Sequence, residues 1–268
     1  LADFLSPAVA QMHLLDPTLN YFLISDVSDQ NLDFELFMLL ASGGTIEITP
    51  ENCSFIDQYG FNNCVKLEHV YLPKLRELGA RAFSYTNFSS IELNSLVSCG
   101  TVDYNYADHG SQFQNCKSLT NVTMKSIGIL QIEMFYNCDM LSYIDLPNVY
   151  QINQNAFAGC HQLCSLTLPG IKSIGTSVFG YLTGLFEVNL PSITSISSYA
   201  FRECPNLISI TAQNCTSIGS YAFFSCAKLK TINMENVTTI NSYAFDKCSS
   251  LEYVNFPKLQ DLGARAFS

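Results

Sequence analysis

The residues best able to do chemistry fall into three small groups. Cys160, His161 and Cys164 place soft ligands close together. Asp103, Asn105 and Asp108 offer oxygen atoms of the kind calcium takes, and Asp108, His109 and Ser111 are the residue types of a nucleophilic triad. None of the three carries through. A zinc site needs several ligands that meet in space, and only one close cysteine pair is present. The acidic trio lacks the glycine and glutamate that shape a calcium loop. A triad is a spatial arrangement, and neighbours on one loop seldom face each other. No nucleophile, base and oxyanion donor converge at a recognisable spacing elsewhere, so no catalytic residue, cofactor or metal ligand is assigned and the chain is read as a non-enzyme.

The other cysteines follow a structural rhythm. Of the eleven, Cys64, Cys116, Cys138, Cys160, Cys204, Cys226 and Cys248 each stand three residues after a phenylalanine. In stacked coils they form a ladder along one inner edge, where a thiol behaves as a small hydrophobe. Parallel side-chain vectors one strand spacing apart give poor disulfide geometry. Buried, reduced thiols are therefore expected.

Those phenylalanines define the elements. Phe113, Phe135, Phe157, Phe179, Phe201, Phe223, Phe245 and Phe267 lie 22 residues apart, and Phe61 and Phe83 keep the interval before one step of 30. A period of this length marks a solenoid, in which each unit is one coil that cannot bury its apolar face alone. Counting from each phenylalanine, apolar residues recur at +3, +6, +9, +11, +14 and +17. The alternation at +9 and +11, such as Ile144 and Leu146 around Asp145, predicts a half-buried strand, and Pro73, Pro147, Pro169, Pro191 and Pro257 end it. Alanine before the phenylalanine and the 3-to-4 spacing onward to cysteine and leucine predict one helical or 3₁₀ turn. The expected architecture is an α/β solenoid of about ten coils, with one parallel sheet on the concave face and short helical turns opposite, rising about 4.8 Å per coil. Strands are predicted near 69–72, 121–124, 143–146, 165–168, 187–190, 209–212, 231–234 and 253–256.

Read together, L-x-x-I-x-L-P followed by I-x-x-I-G-x-x-A-F-x-x-C resembles the BspA-like class of leucine-rich repeat, over residues 46–268 and in a 22-residue variant. The resemblance implies a bacterial or protozoan surface or secreted protein engaged in adhesion, hence an extracellular or cell-surface location.

Three stretches depart from the repeat. Residues 1–45 are expected to form an N-terminal cap, with a short helix at Asn31–Ser42 stopped by Gly43 and Gly44. The unit from Phe83 is irregular and carries an insert at 98–111, which should project as a loop whose Asp103, Tyr104, Tyr106 and Asp108 form contacts. At the other end PKLQDLGARAFS echoes PKLRELGARAFS, so a longer super-repeat is expected, with an uncapped last coil and a polypeptide continuing past Ser268.

Bulk composition narrows the partners. The 268 residues are 48% hydrophobic and 13% charged with a formal net charge of −10, which disfavours nucleic acid and anionic membrane surfaces. No run is long enough to insert in a membrane. Strand positions +8 and +10 should face outward and bind. They include His69, Tyr71, Glu92, Asn121, Thr123, Tyr143, Asp145, Thr167, Glu187, Asn189, Tyr253 and Asn255. This hydroxyl- and amide-rich face with tyrosines suits a protein or glycan ligand, and binding is expected there rather than along the cysteine edge. The alternative is a structural protein that self-associates through its solenoid ends into a filament, coat or virion surface. Asn52, Asn87, Asn121, Asn214 and Asn236 begin glycosylation triplets, which matter only where secreted proteins are glycosylated.

Overall fold

The structure is a computed structural model that describes residues 13–16, 21–24, 45–48, 53–100 and 110–268. It is a stack of coils around a column of phenylalanine rings. From Phe61 to Phe267 each repeat phenylalanine lies face to face with the next, with ring centroids 5.1–5.8 Å apart and planes within 3–17°. The step of 30 residues from Phe83 to Phe113 leaves the column unbroken, with the two rings stacked at 5.6 Å. Phe88 packs edge-on against both rings and fills the space the irregular unit opens. Rings Phe61 to Phe245 are fully buried, each contributing about 1.5–3 kcal/mol relative to exposure.

Each coil presents three hydrogen-bonded faces. The first carries the longer strands, at Leu67–Val70, Ser90–Glu92, Asn121–Thr123, Tyr143–Asp145, Ser165–Thr167, Glu187–Asn189, Ser209–Thr211 and Thr231–Asn233. Pairing between these is parallel, and the middle residues Leu166, Val188, Ile210 and Ile232 align as one inward row. The ladder is interrupted between Val70 and Ser90 and again between Asp145 and Ser165. The segment predicted as a strand at 253–256 is not one. Its inward position, Val254, is exposed, so it lacks the burial that holds the other strands to the stack.

A second face, absent from the expected single sheet, consists of two-residue strands such as Gln151–Ile152, Ser173–Ile174, Ser217–Ile218 and Thr239–Ile240. The glycine after this strand lets adjacent coils approach. A Cβ on Gly219 would sit 2.4 Å from the Ser198 backbone nitrogen. This ladder parts between Ser98–Cys99 and Ile129–Leu130.

The third face is the turn wall around the phenylalanines. No α- or 3₁₀-helix occurs among the described residues. The residues two before and two after each phenylalanine adopt left-handed backbone, as in Tyr221 (φ 57°) and Ser225 (φ 60°) around Phe223. A left-handed residue at every such position prevents a continuous helical turn. The N–H of each phenylalanine instead donates to the carbonyl just before the next coil's phenylalanine at 2.7–3.0 Å, and the ±2 residues do the same. The wall is thus a further inter-coil ladder.

The ladder cysteines complete it. Six of them donate a thiol hydrogen bond at 3.0–3.1 Å to the carbonyl of the phenylalanine one coil earlier, for example Cys204 Sγ to Phe179 O. They are therefore hydrogen-bond donors as well as small hydrophobes. All eleven cysteines are free thiols, and every one but Cys164 is buried.

At the N-terminal end, strand Tyr21–Ile24 pairs antiparallel with His13–Asp16 and parallel with Thr45–Ile48, which pairs in turn with Leu67–Val70. The helix expected at 31–42 lies outside the described residues.

Candidate functional site

Parallel in-register stacking converts a pattern along the sequence into rows across the surface. On the longer-strand face Ser90, Asn121 and Tyr143 form one row, and Glu92, Thr123 and Asp145 form the other. Beyond the interruption, Ser165, Glu187, Ser209 and Thr231 align, as do Thr167, Asn189, Thr211 and Asn233. Asn233 Nδ2 donates to Thr211 Oγ1 at 3.3 Å, so neighbouring rungs also hold each other. The predicted residues are thereby brought together as two polar plaques. His69 sits on a separate ladder with the N-terminal strands, Tyr71 follows just past the end of that strand, and Tyr253 and Asn255 are exposed but off any strand. Asp103, Tyr104, Tyr106 and Asp108 lie outside the described residues.

Side chains that have left water cannot recruit a partner, so exposure decides which aromatic residues count. Tyr71 is 58% exposed, Tyr143 55% and Tyr253 76%. Sequence reasoning missed a further row at +7, just before the strand, where Cys164, Phe186 and Ile208 follow one another. Phe186 N–H donates to Cys164 O and Ile208 N–H to Phe186 O, which extends the ladder by one rung. Both Phe186 and Ile208 are 45% exposed. The signal was available: other units carry Thr120, Ser142, Lys230 and Glu252 at this offset, so an apolar pair there is out of pattern.

Among the described residues, the cysteine and histidine group considered for chemistry does not assemble. Cys160 points inward to Phe135 O, Cys164 is at the surface, and His161 Nδ1 lies 3.0 Å from Tyr181 O. Ser111 is buried in a polar cluster with Glu133 and Gln114. Its sequence neighbours Asp108 and His109 lie outside the described residues. Burial pushes the Cys64, Cys204 and Cys248 thiols up to about 12 and Cys215 to about 11, opposite to what a nucleophilic cysteine needs.

Of the glycosylation triplets, Asn87 and Asn121 are exposed. Asn214 and Asn236 use Nδ2 to bond carbonyls one coil earlier, at Pro191 and Gln213, both at 2.8 Å. Among the described residues no helix is long and apolar enough to cross a membrane.

A family model described as a BspA type leucine rich repeat region matches in six copies, over residues 32–163, 103–191 and 150–268. A comparison with curated proteins gave no match. Among solved structures, a leucine-rich repeat protein of T. pallidum is similar at 20% identity, covering 90% of this chain and 87% of that one, with a TM-score of 0.51. A leucine-rich repeat protein from Eubacterium ventriosum covers 93% and 90% at 15% identity with a TM-score of 0.53. One from Bacteroides ovatus covers 84% and 76% at 22% identity with a TM-score of 0.50. At these identities the likeness concerns the fold.

Proposed function

The chain belongs to the BspA-type leucine-rich repeat family, and from that premise we propose that it is a non-enzymatic recognition or adhesion module acting outside the cell or at its surface. Its partner is a protein bound across the longer-strand face. The observation that carries this reading is the set of unburied aromatic and aliphatic side chains, Tyr143, Phe186 and Ile208, held beside the in-register polar rows on a packed core. Large side chains held rigidly cost little entropy on binding and lead interface hot spots, while short hydroxyls and amides adapt around them. A backbone fixed by three ladders supplies the preorganisation that converts area into affinity.

The test is Tyr143→Ala combined with Asp145→Ala, measured against a partner captured with the wild-type chain. Binding should weaken by at least about 1 kcal/mol while thermal stability barely changes. Unaltered affinity, together with concentration-dependent fibres, would instead support assembly through the solenoid ends.

A further inference from the structure

Away from the strand face, the turn wall carries a groove of about 370 Å³ lined by His161, Tyr181, Thr183, Glu203, Pro205 and Ser225. Four successive coils contribute to it, so its long axis runs along the stack. Tyr181, Glu203 and Ser225 occupy the left-handed position two after the phenylalanine, with φ of 64°, 56° and 60°. Of the coils nearer the N-terminus, four place Asn63, Asn115, Asn137 and Gly159 there, residue types at ease in that conformation, and one places Tyr85. Tyrosine and glutamate are less at ease there than asparagine or glycine, so the fold does not require them at this offset.

The groove is also prearranged. The Arg202 guanidinium stands 5.5 Å from the Tyr181 ring centroid, and its Nε and Nη2 each lie 2.9 Å from Glu203 Oε1. Among the described residues Glu203 Oε2 has no hydrogen-bond partner. Tyr181 O is a carbonyl and can only accept, so His161 Nδ1 carries the proton, and in the neutral tautomer this contact selects, Nε2 is the acceptor. The result is a 41% exposed aromatic ring beside two acceptors and two hydroxyls. A ligand that fits must offer an apolar face and many hydroxyl donors. An extended peptide would seek an open backbone edge, but the wall's outward N–H groups already donate to the next coil. The formal charge of −10 and the Glu203 carboxylate disfavour an acidic ligand.

We propose that this groove binds a neutral β-1,4-linked oligosaccharide, with Tyr181 stacked on one sugar ring and Glu203 Oε2 and His161 Nε2 accepting from its hydroxyls. The linkage follows from the geometry: in the coils behind the groove the phenylalanine rings repeat every 5.3–5.8 Å, close to the length of one such pyranose unit, so successive sugars can face successive coils.

The experiment is titration calorimetry of the full chain with cellohexaose and chitohexaose, supported by saturation-transfer difference NMR. Wild type should bind at least one of them. Tyr181→Asn installs a residue the fold already uses at this offset, and it should weaken binding at least about tenfold with an unchanged circular dichroism spectrum. Glu203→Gln should weaken it as well. Tyr85→Asn, at an equivalent exposed position outside the groove, and the Tyr143→Ala/Asp145→Ala pair on the strand face should leave sugar affinity unchanged. Absence of binding to both sugars, equal affinity in wild type and Tyr181→Asn, or equal losses from Tyr85→Asn would overturn the proposal.

Discussion

Removing a ladder thiol should cost different amounts in coils that look alike. Cys160 and Cys204 are both fully buried, and each donates at 3.1 Å to the phenylalanine carbonyl one coil earlier. Phe135 O, the target of Cys160, also accepts the Cys138 N–H at 3.1 Å. Among the described residues no backbone N–H donates to Phe179 O, which leaves it the Cys204 thiol as donor. Alanine at either site deletes the same sulfur and leaves a similar cavity, so those terms largely cancel in the comparison. What remains is one orphaned buried carbonyl, worth about 1–3 kcal/mol. A thiol is a weak donor, which places the difference near the lower end, about 1 kcal/mol. Guanidinium unfolding of Cys160→Ala and Cys204→Ala, compared at equal m-value, measures it. Cys204→Ala should be the less stable. Equal losses, or the reverse order, would refute the idea that the thiols serve as donors to the wall.

The raised thiol pKa values set a pH dependence. Unfolded cysteine titrates near about 8.5, while Cys64, Cys204 and Cys248 hold their protons to about 12 when folded. Their contribution is complete below the unfolded value and is lost as pH rises through the folded one, so the unfolding midpoint should fall steadily between about pH 8.5 and 12. A flat profile would contradict the burial. With a thiol reagent at neutral pH the native chain should react first at Cys164, and unfolded protein without reductant should yield mostly free thiols. Phe201→Ala, stacked between Phe179 and Phe223 at 5.3 Å on both sides, should cost about 3–5 kcal/mol in a denaturation experiment. Thr211→Ala, on the strand face, should stay within about 0.5 kcal/mol. Ser177, at φ 55°, tests the left-handed wall by thermal melting. Its replacement by glycine should be neutral or stabilising, and valine should cost about 1–2 kcal/mol.

The features legible in the sequence are those for which one residue type meets its own copy in the next coil. Phenylalanine stacks on phenylalanine and Leu166 aligns with Val188 and Ile210, so periodicity in the chain is periodicity in space. The turn wall was read as helical because the spacing of alanine, phenylalanine and cysteine suits a helix. The alternation of backbone handedness leaves no such signature, since Tyr199, Glu203, Ser225 and Lys247 occupy left-handed positions without glycine or asparagine to mark them. The second ladder was hidden for a related reason: strands of two residues are too short to alternate. In the paired strands the residues at +8 and +10 are half-buried or exposed, so the outward direction of these rows is legible from the alternation. The Phe186–Ile208 row was overlooked because a repeat consensus averages away an exception confined to two coils.

Oxidative side-chain footprinting of the full chain, with and without a bound protein partner, tests the recognition reading most directly. Tyr143, Phe186 and Ile208 should become protected on binding, while Tyr85 and Tyr181 on the turn wall keep their reactivity. Unchanged labelling at all three strand-face residues, with protection confined to the turn wall or to Leu262 and Phe267, would contradict it.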